Sequence, residues 1–408
     1  MRSFLSERAK NTGKSSIREI LEISKKPGVI SFAGGLPKPE TFPFEDLAEA
    51  ARRQIGENYR QSLQYGITEG VIEFRKEMID WLSNFGWSIK LDNIIATNSS
   101  QQALDLVSKA FLDPGDVLFC GLPTYAGAIQ SFQLFQARSV GVPMESDGMN
   151  LNVLEEEIRR VERTGRQAKF VYVIPDFQNP TGVTMSGRKR KKLVKIAMEY
   201  DLLIIEDTPY FGLRFEGQEE RPINAYDNEG RVITMSSLSK VLSAGMRLAV
   251  VVGPENLIDA LVTVKQATDL CTSTTTQWIA LEWMQNHELS EHLAQARSHY
   301  RQNRNVILEA LERFFPDDER ITWTRPEGGL FIWVTLPEGV NTDELLFDAL
   351  ENKVAFVPGS GFYVNDGGKN SMRLCYSVLQ PDEINEGIKL LAEVVRRHLS
   401  AASPAREE

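Results

Sequence analysis

The residues with the most chemical capacity stand at the ends of apolar runs. VITM leads into Ser236-Ser237-Leu238-Ser239-Lys240, LLIIE into Asp207-Thr208-Pro209-Tyr210, FVYVIPD into Phe177-Gln178-Asn179-Pro180, and NIIATN into Ser99-Ser100-Gln101 and a helical pattern. Together they offer an amine, a carboxylate, a phenol, an amide and an anion cradle. Taken singly, most have ordinary explanations: Ser99 and Ser100 read as helix N-caps, and Asp207 as the cap of the next turn. The alternative for the serines is that the helix N-terminus, with its unpaired N–H groups and positive dipole end, holds a phosphate. Lys240 says more. It lies among hydroxyls in a short loop between two apolar runs, where desolvation would lower the pKa of an amine and make it a nucleophile toward carbonyls. Seven residues later Arg247 opens the next run and brings a second positive charge.

These groups meet the needs of pyridoxal 5'-phosphate. A lysine forms the Schiff base, a carboxylate keeps the pyridine nitrogen protonated so that the ring takes up carbanion electrons, and the phosphate requires N–H, hydroxyl and Arg partners. Lys240 and Asp207 suit the first two roles. Asn179 and Tyr210 suit hydrogen bonds to the phenolic oxygen of the ring, and Tyr125 suits stacking on its face. The order of the whole set, rather than any one member, is the specific signal.

The elements that must position these residues repeat one theme between Asn93 and Gly253. NIIATNS, DVLFCG, SVGVPM, FVYVIPD, LLIIED, VITMSS and RLAVVVG are seven candidate strands, most of them apolar throughout, with helical patterns between several. Continuous apolar strands are buried on both faces, as in a mostly parallel sheet covered by helices, and ligands then bind beyond the carboxyl ends of the strands. After Gly253 come long amphipathic helices, then short strands with Gly-Gly and Pro-Gly turns, then a helix from about Glu383. This is the texture of a smaller α+β domain. The expected architecture is α/β: a large domain at 46–295 with a seven-stranded sheet, a small domain at 296–408, and an arm at 1–45 that joins the small domain.

Composition narrows the partners. Against 46 Lys and Arg stand 56 Asp and Glu, a net charge of −10, so a nucleic acid would need a local basic patch to overcome the overall field. The one candidate, Arg188 to Lys192 (RKRKK), reads as a solvated helix face. No apolar stretch is long enough to span a bilayer, and the amino terminus lacks the apolar centre of a signal peptide. Cys120, Cys271 and Cys375 have no CxxC spacing and read as reduced, packed thiols, so a cytoplasmic location is expected. No metal is expected: among four histidines, His287 and His292 come nearest to a pair, and five residues turn the second well away from the first on a helix.

The sequence resembles the class I/II aminotransferases of fold type I, and within them the 2-aminoadipate, kynurenine and aromatic aminotransferases. The motifs that carry the resemblance run through nearly the whole chain: SSIREI at 15–20, ISFAGGLPKPETFP at 30–43, LQYGITEG at 63–70, SSQQALDL at 99–106, LPTYAGA at 122–128, DFQNPTG at 176–182, IIEDTPY at 204–210, SSLSK at 236–240, AGMRLA at 244–249, PEGGLFIW at 326–333 and FVPGSGF at 356–362. The resemblance implies transfer of an amino group from an L-amino acid (aromatic, 2-aminoadipate-like or branched-chain) to a 2-oxo acid such as 2-oxoglutarate. Lys240 is then the Schiff-base lysine and proton shuttle, and Asp207 the partner of the pyridinium. Ser100, Gln101, Ser237, Ser239 and Arg247 hold the phosphate, joined by Tyr65 from a neighbouring subunit, which implies a homodimer with shared active sites. Arg373 grips the substrate α-carboxylate with a bidentate fork. Gly34 and Gly35 leave room beside the substrate, and Arg18 either reads a side-chain carboxylate or is a plain surface residue. Ser99 departs from the family, which usually has Gly there.

Two rivals share these features. Decarboxylation, β-elimination or acyl transfer needs the same ring and lysine, because the outcome depends on which Cα bond stands perpendicular to the ring. A ligand-sensing regulator carries a winged helix ahead of such a domain, and the motifs here begin near residue 15, leaving no room for one.

Overall fold

Val, Ile and Leu dominate the apolar runs, and their branched side chains favour a pleated surface packed on both sides. In the computed structural model, which describes residues 4–10, 12, 20, 22 and 26–402, every one of the seven runs forms a strand. In chain order the strands are β1 (Ile30–Ser31), β2 (Ile94–Thr97), β3 (Val117–Leu122), β4 (Arg138–Glu145), β5 (Gly148–Met149), β6 (Ala168–Val173), β7 (Leu203–Asp207), β8 (Val232–Ser237), β9 (Ala249–Val252), β10 (Thr322–Trp323), β11 (Phe331–Thr335), β12 (Val354–Ala355), β13 (Val357–Pro358) and β14 (Ser371–Cys375). The main sheet runs β2-β9-β8-β7-β6-β3-β4-β5. It has eight strands rather than seven, because the two-residue β5 turns back antiparallel on the end of β4.

Strands β4, β3, β6, β7 and β8 are parallel neighbours, whereas β9 runs against both β8 and β2. That reversal positions the site. It brings the residues just before β9 to the same sheet edge as the carboxyl ends of β2, β6, β7 and β8; Ala249 is in register with both Thr97 and Ser237. The chain also changes direction across the sheet at the β3/β6 pair, which opens a crevice at this edge.

A second sheet, β10-β11-β14-β13, is antiparallel, and β1 pairs in parallel with β12. Through β1 the segment containing Gly34 and Gly35 is stitched to the second sheet, with Phe32 N–H donating to Ala355 O and Cys375 N–H to Phe32 O. The helix Leu289–Phe314 packs along the closing helix Pro381–Ala402, and Arg297 Nε donates to Gly212 O at 2.6 Å, tying it to a loop beyond β7. Gly328 lets the two sheets meet: a Cβ there would lie 2.3 Å from the Phe177 ring, so the loop after β6 packs directly on the Gly-Gly turn before β11. Among the described residues no helix is long and apolar enough to cross a membrane.

The basic run is a solvated face only in part: Arg188 and Lys191 are exposed, but two of its residues turn inward. Within the helix Gly187–Glu199, Lys189 and Arg190 are buried. Lys189 Nζ is ion-paired with Glu145 and Asp147, and Arg190 donates to both oxygens of Asp176, at 2.6 and 3.3 Å. Buried charge persists only when it is paired, and here Asp176 supplies the pairing.

Candidate active site

Four strand ends and the turn before β9 converge on one edge. The helix Ser99–Phe111 starts directly after β2, and Ser99 adopts φ +74°, a conformation that L residues other than Gly rarely take. A Gly, which the resemblance leads one to expect at this position, would adopt that conformation without strain. Helix N-termini leave N–H groups without intrahelical partners. Beside them the Ser100 hydroxyl is buried and has no hydrogen-bond partner. Arg247, itself at φ +52°, donates through Nη2 to Ser99 Oγ and through Nη1 to Ser239 Oγ at 3.4 Å. Ser239 N–H in turn donates to Ser237 Oγ at 3.1 Å. Four serine hydroxyls and a guanidinium are thus gathered around one helix start.

Gln101 belongs to the same helix start, but its side chain is turned to other partners. Its amide donates to Ser131 Oγ at 2.8 Å and its Oε1 accepts from Tyr125 OH at 3.3 Å, so what it offers at the helix start is backbone. The same bond orients Tyr125, which sits just before the helix Ala126–Leu134.

Asp207 ends β7 with 2% exposure. Burial raises its carboxyl from 3.8 to about 7, an effect partly offset by Tyr172 OH, which donates to Oδ2 at 2.8 Å. The other oxygen, Oδ1, is buried without a partner. Tyr172 was missed in the sequence because it stands inside the apolar run FVYV and reads there as a core aromatic. Lys240 follows β8 and donates from Nζ to Gly35 O at 2.7 Å. Burial lowers its amine from 10.5 to about 8, with the nearby Arg373 and Arg247 charges acting in the same direction.

Arg373 on β14 is 4% exposed, with its guanidinium over the rings of Phe331 (4.2 Å) and Phe362 (5.0 Å). It donates from Nη1 to Asn179 Oδ1 at 2.9 Å and from Nη2 to Ala33 O and Gly34 O at 3.0 Å, while Nε has no partner. An arginine can only donate, so Asn179 must turn its oxygen to Arg373, which leaves its NH₂ to donate elsewhere. Asn179 follows β6 in the loop that Arg190 anchors through Asp176, a positioning role hidden within the basic run. Tyr210 is buried edge-on to Phe331 at 5.7 Å, and burial pushes its phenol upward. A Cβ at Gly35 would stand 3.3 Å from the Phe331 ring and 3.7 Å from Arg373 Nη2, so the glycine keeps the guanidinium approachable.

One expected participant stands apart from the cluster, and a second falls outside the description. Tyr65 is 80% exposed and makes no hydrogen bond to the cluster within its own chain. Arg18 lies outside the described residues.

With this geometry in hand, the comparisons decide the family. The family described as aminotransferase class I and II matches residues 27–391. The chain belongs to this family. The aromatic-amino-acid aminotransferase 1 of Thermococcus litoralis is 41% identical over 97% of this chain and 95% of its own length. Among solved structures, the Pyrococcus horikoshii kynurenine aminotransferase in complex with PMP is 41% identical with a TM-score of 0.93, over 97% of this chain and 98% of that one. LysN, the α-aminoadipate aminotransferase of Thermus thermophilus, complexed with N-(5'-phosphopyridoxyl)-L-leucine, is 38% identical with a TM-score of 0.89 over the same shares. The chain is therefore an aminotransferase that uses pyridoxal 5'-phosphate in transfer between an amino acid and a 2-oxo acid. The residues present fit that cofactor. Asp207 Oδ1 is a buried acceptor in need of a cationic N–H, and the Ser100 hydroxyl is a buried donor beside Arg247 in need of an anion.

Proposed function

We propose that this aminotransferase takes its amino group from an L-amino acid with an aromatic, 2-aminoadipate-like or branched side chain and passes it to a 2-oxo acid such as 2-oxoglutarate. The observation that carries the site reading is the unpartnered Asp207 Oδ1, at the same sheet edge as Lys240 and buried where only a cationic ring nitrogen would compensate it. Ser99, Ser100, the backbone at Gln101, Ser237, Ser239 and Arg247 hold the phosphate. The Asn179 NH₂ and the Tyr210 hydroxyl face the phenolic oxygen, and Tyr125 covers the ring.

When bound, the cofactor supplies a sink for the electrons released at the substrate Cα. The protein supplies everything around it. Arg373 receives the α-carboxylate with its open Nε, and the Phe331 and Phe362 rings hold its guanidinium plane in place. Lys240 Nζ would hold the cofactor as its Schiff-base amine and, as a free amine, would accept the substrate Cα proton and carry it as the proton shuttle. Burial favours this, since an amine lowered to about 8 is available as a base near neutral pH. Asp207 keeps the pyridine nitrogen protonated throughout, and Tyr172 orients it.

The same reading includes a homodimer with shared sites, supported by the exposed apolar residues Leu63, Tyr65, Ile67 and Leu270. It divides the chain into a large domain at 46–295 and a small one at 296–408 joined by the arm at 1–45. It sets the enzyme in the cytoplasm, which three free cysteines support.

The test is to mix the loaded protein with single amino acids, follow conversion of the cofactor to its amine form, and identify the oxo acid by mass. Aromatic, 2-aminoadipate or branched-chain substrates are expected to convert it. Carbon dioxide or ammonia released without that conversion would instead favour decarboxylation or elimination.

A further inference from the structure

Ser99 holds φ +74°, which for a serine persists only where its surroundings enforce it. The enforcement comes from Asp269, at the end of the helix Glu255–Thr268. Asp269 Oδ2 accepts from Asn98 Nδ2 at 2.7 Å and from Gln102 Nε2 at 2.5 Å. Gln102 Oε1 closes the ring by accepting from Asn98 N–H at 2.8 Å. Lys265, fully buried, donates from Nζ to both Asp269 oxygens at 2.7 and 2.9 Å. Three residues on, Thr272 Oγ1 donates to Ala96 O at 3.0 Å, fixing the same segment to β2. Asn98 is therefore gripped at its side chain and at its backbone, immediately before the residue with the strained φ.

We propose that the Lys265–Asp269 pair is a positioning element for phosphate recognition: it fixes the Asn98–Ser99 turn so that the helix start and the hydroxyls of Ser99 and Ser100 face the cofactor phosphate. The inference rests on the phosphate reading of that cluster. Lys265 explains why the arrangement is stable. A carboxylate accepting two amide donors from the turn would be costly to hold there without a buried cation on its other side, and a lone amide acceptor would hold the turn more weakly.

The test compares two ligands that differ only in the phosphate. Dissociation constants of pyridoxal 5'-phosphate and of unphosphorylated pyridoxal are measured for the wild type and for Asp269→Ala by equilibrium dialysis. The proposal expects the phosphorylated ligand to weaken about tenfold or more, the loss associated with hydrogen bonds to a charged group, while pyridoxal changes less than about twofold. Equal weakening of both ligands, or of neither, would overturn it. Gln102→Met removes one arm of the ring without touching the ion pair; if Asp269→Ala does not fold, it carries the same comparison with the same two outcomes. The wild type separates this proposal from the reading beneath it: a wild type that binds the two ligands equally would refute the phosphate cluster itself.

Discussion

Glu206 and Asp207 are neighbours on β7, and their side chains leave the sheet on opposite faces. Both are buried, at 0% and 2% exposure, and burial raises both carboxyls. Their partners differ. Glu206 is answered on both oxygens, by Ile223 N–H at 2.7 Å, Asn224 N–H at 3.3 Å and Thr234 Oγ1 at 2.8 Å. Asp207 receives Tyr172 alone and keeps Oδ1 open. Burial and a raised pKa therefore do not distinguish a structural carboxylate from a functional one. The open carboxylate oxygen does, because buried carboxylates in folded proteins are as a rule paired, and this one lies at the sheet edge that also carries Lys240.

The largest effect expected lies with the amine across the edge from Asp207. Lys240→Ala should cost at least about 10⁴-fold in turnover, the upper range for removal of a proton-transfer group, and should leave no borohydride-reducible chromophore. Full retained transamination in that variant would remove the proton-shuttle assignment.

Asp207→Ala should keep some cofactor yet lose about a hundredfold to a thousandfold in rate, as when a preorganised charge is removed from a transition state. Steady-state kinetics at saturating cofactor checks this, and an unaffected rate would cancel the electron-sink role.

Stability should show the same open acceptor. In cofactor-free protein, Asp207 binds its proton more tightly folded than unfolded, so the folded state holds more protons between about pH 4 and about pH 7. Its contribution is fully present at the acid end and is lost as pH rises through the folded value, by roughly 4 kcal/mol in all. Urea unfolding across that window in wild type and Asp207→Asn isolates the term, since Glu206 contributes in the same direction to both. Loading the cofactor should flatten it, and an identical slope in both proteins would contradict the assignment.

On the opposite face, Glu206→Ala should destabilise the protein by about 3 kcal/mol, because it strands two N–H groups and a hydroxyl, with kcat of the folded fraction within about threefold of wild type. The smallest effect is expected from Tyr172→Phe, about tenfold in rate for one hydrogen bond to a charged group, with the fold intact. If it instead matched Asp207→Ala, Tyr172 would be more than an orienting partner.

What was legible in the sequence follows the same division. The seven long strands announced themselves because strands buried on both faces are apolar throughout; Asp207, Lys240 and Asn179 stood out as polar residues where such runs end, and Arg247 where the next begins. The two-residue β5 was not legible, since its pairing depends on the turn that returns it to β4 and not on any pattern of its own. Tyr172, Arg190 and Asp269 were hidden for a common reason: their local settings have ordinary explanations, as a core aromatic, a basic surface run and an i,i+4 ion pair. Their roles arise from contacts 35, 14 and 171 residues away in the chain. Arg373 carried no local signal either, and was found only through the family resemblance.

The most direct test of the account is the protonation state of the pyridine nitrogen. With ring-¹⁵N-labelled cofactor bound, the nitrogen shift can be followed by NMR from neutral to alkaline pH in wild type, Asp207→Ala and Glu206→Ala. The account predicts a protonated nitrogen at neutral pH in wild type and Glu206→Ala and an unprotonated one in Asp207→Ala. A nitrogen that stays protonated without Asp207, or loses its proton without Glu206, would contradict it.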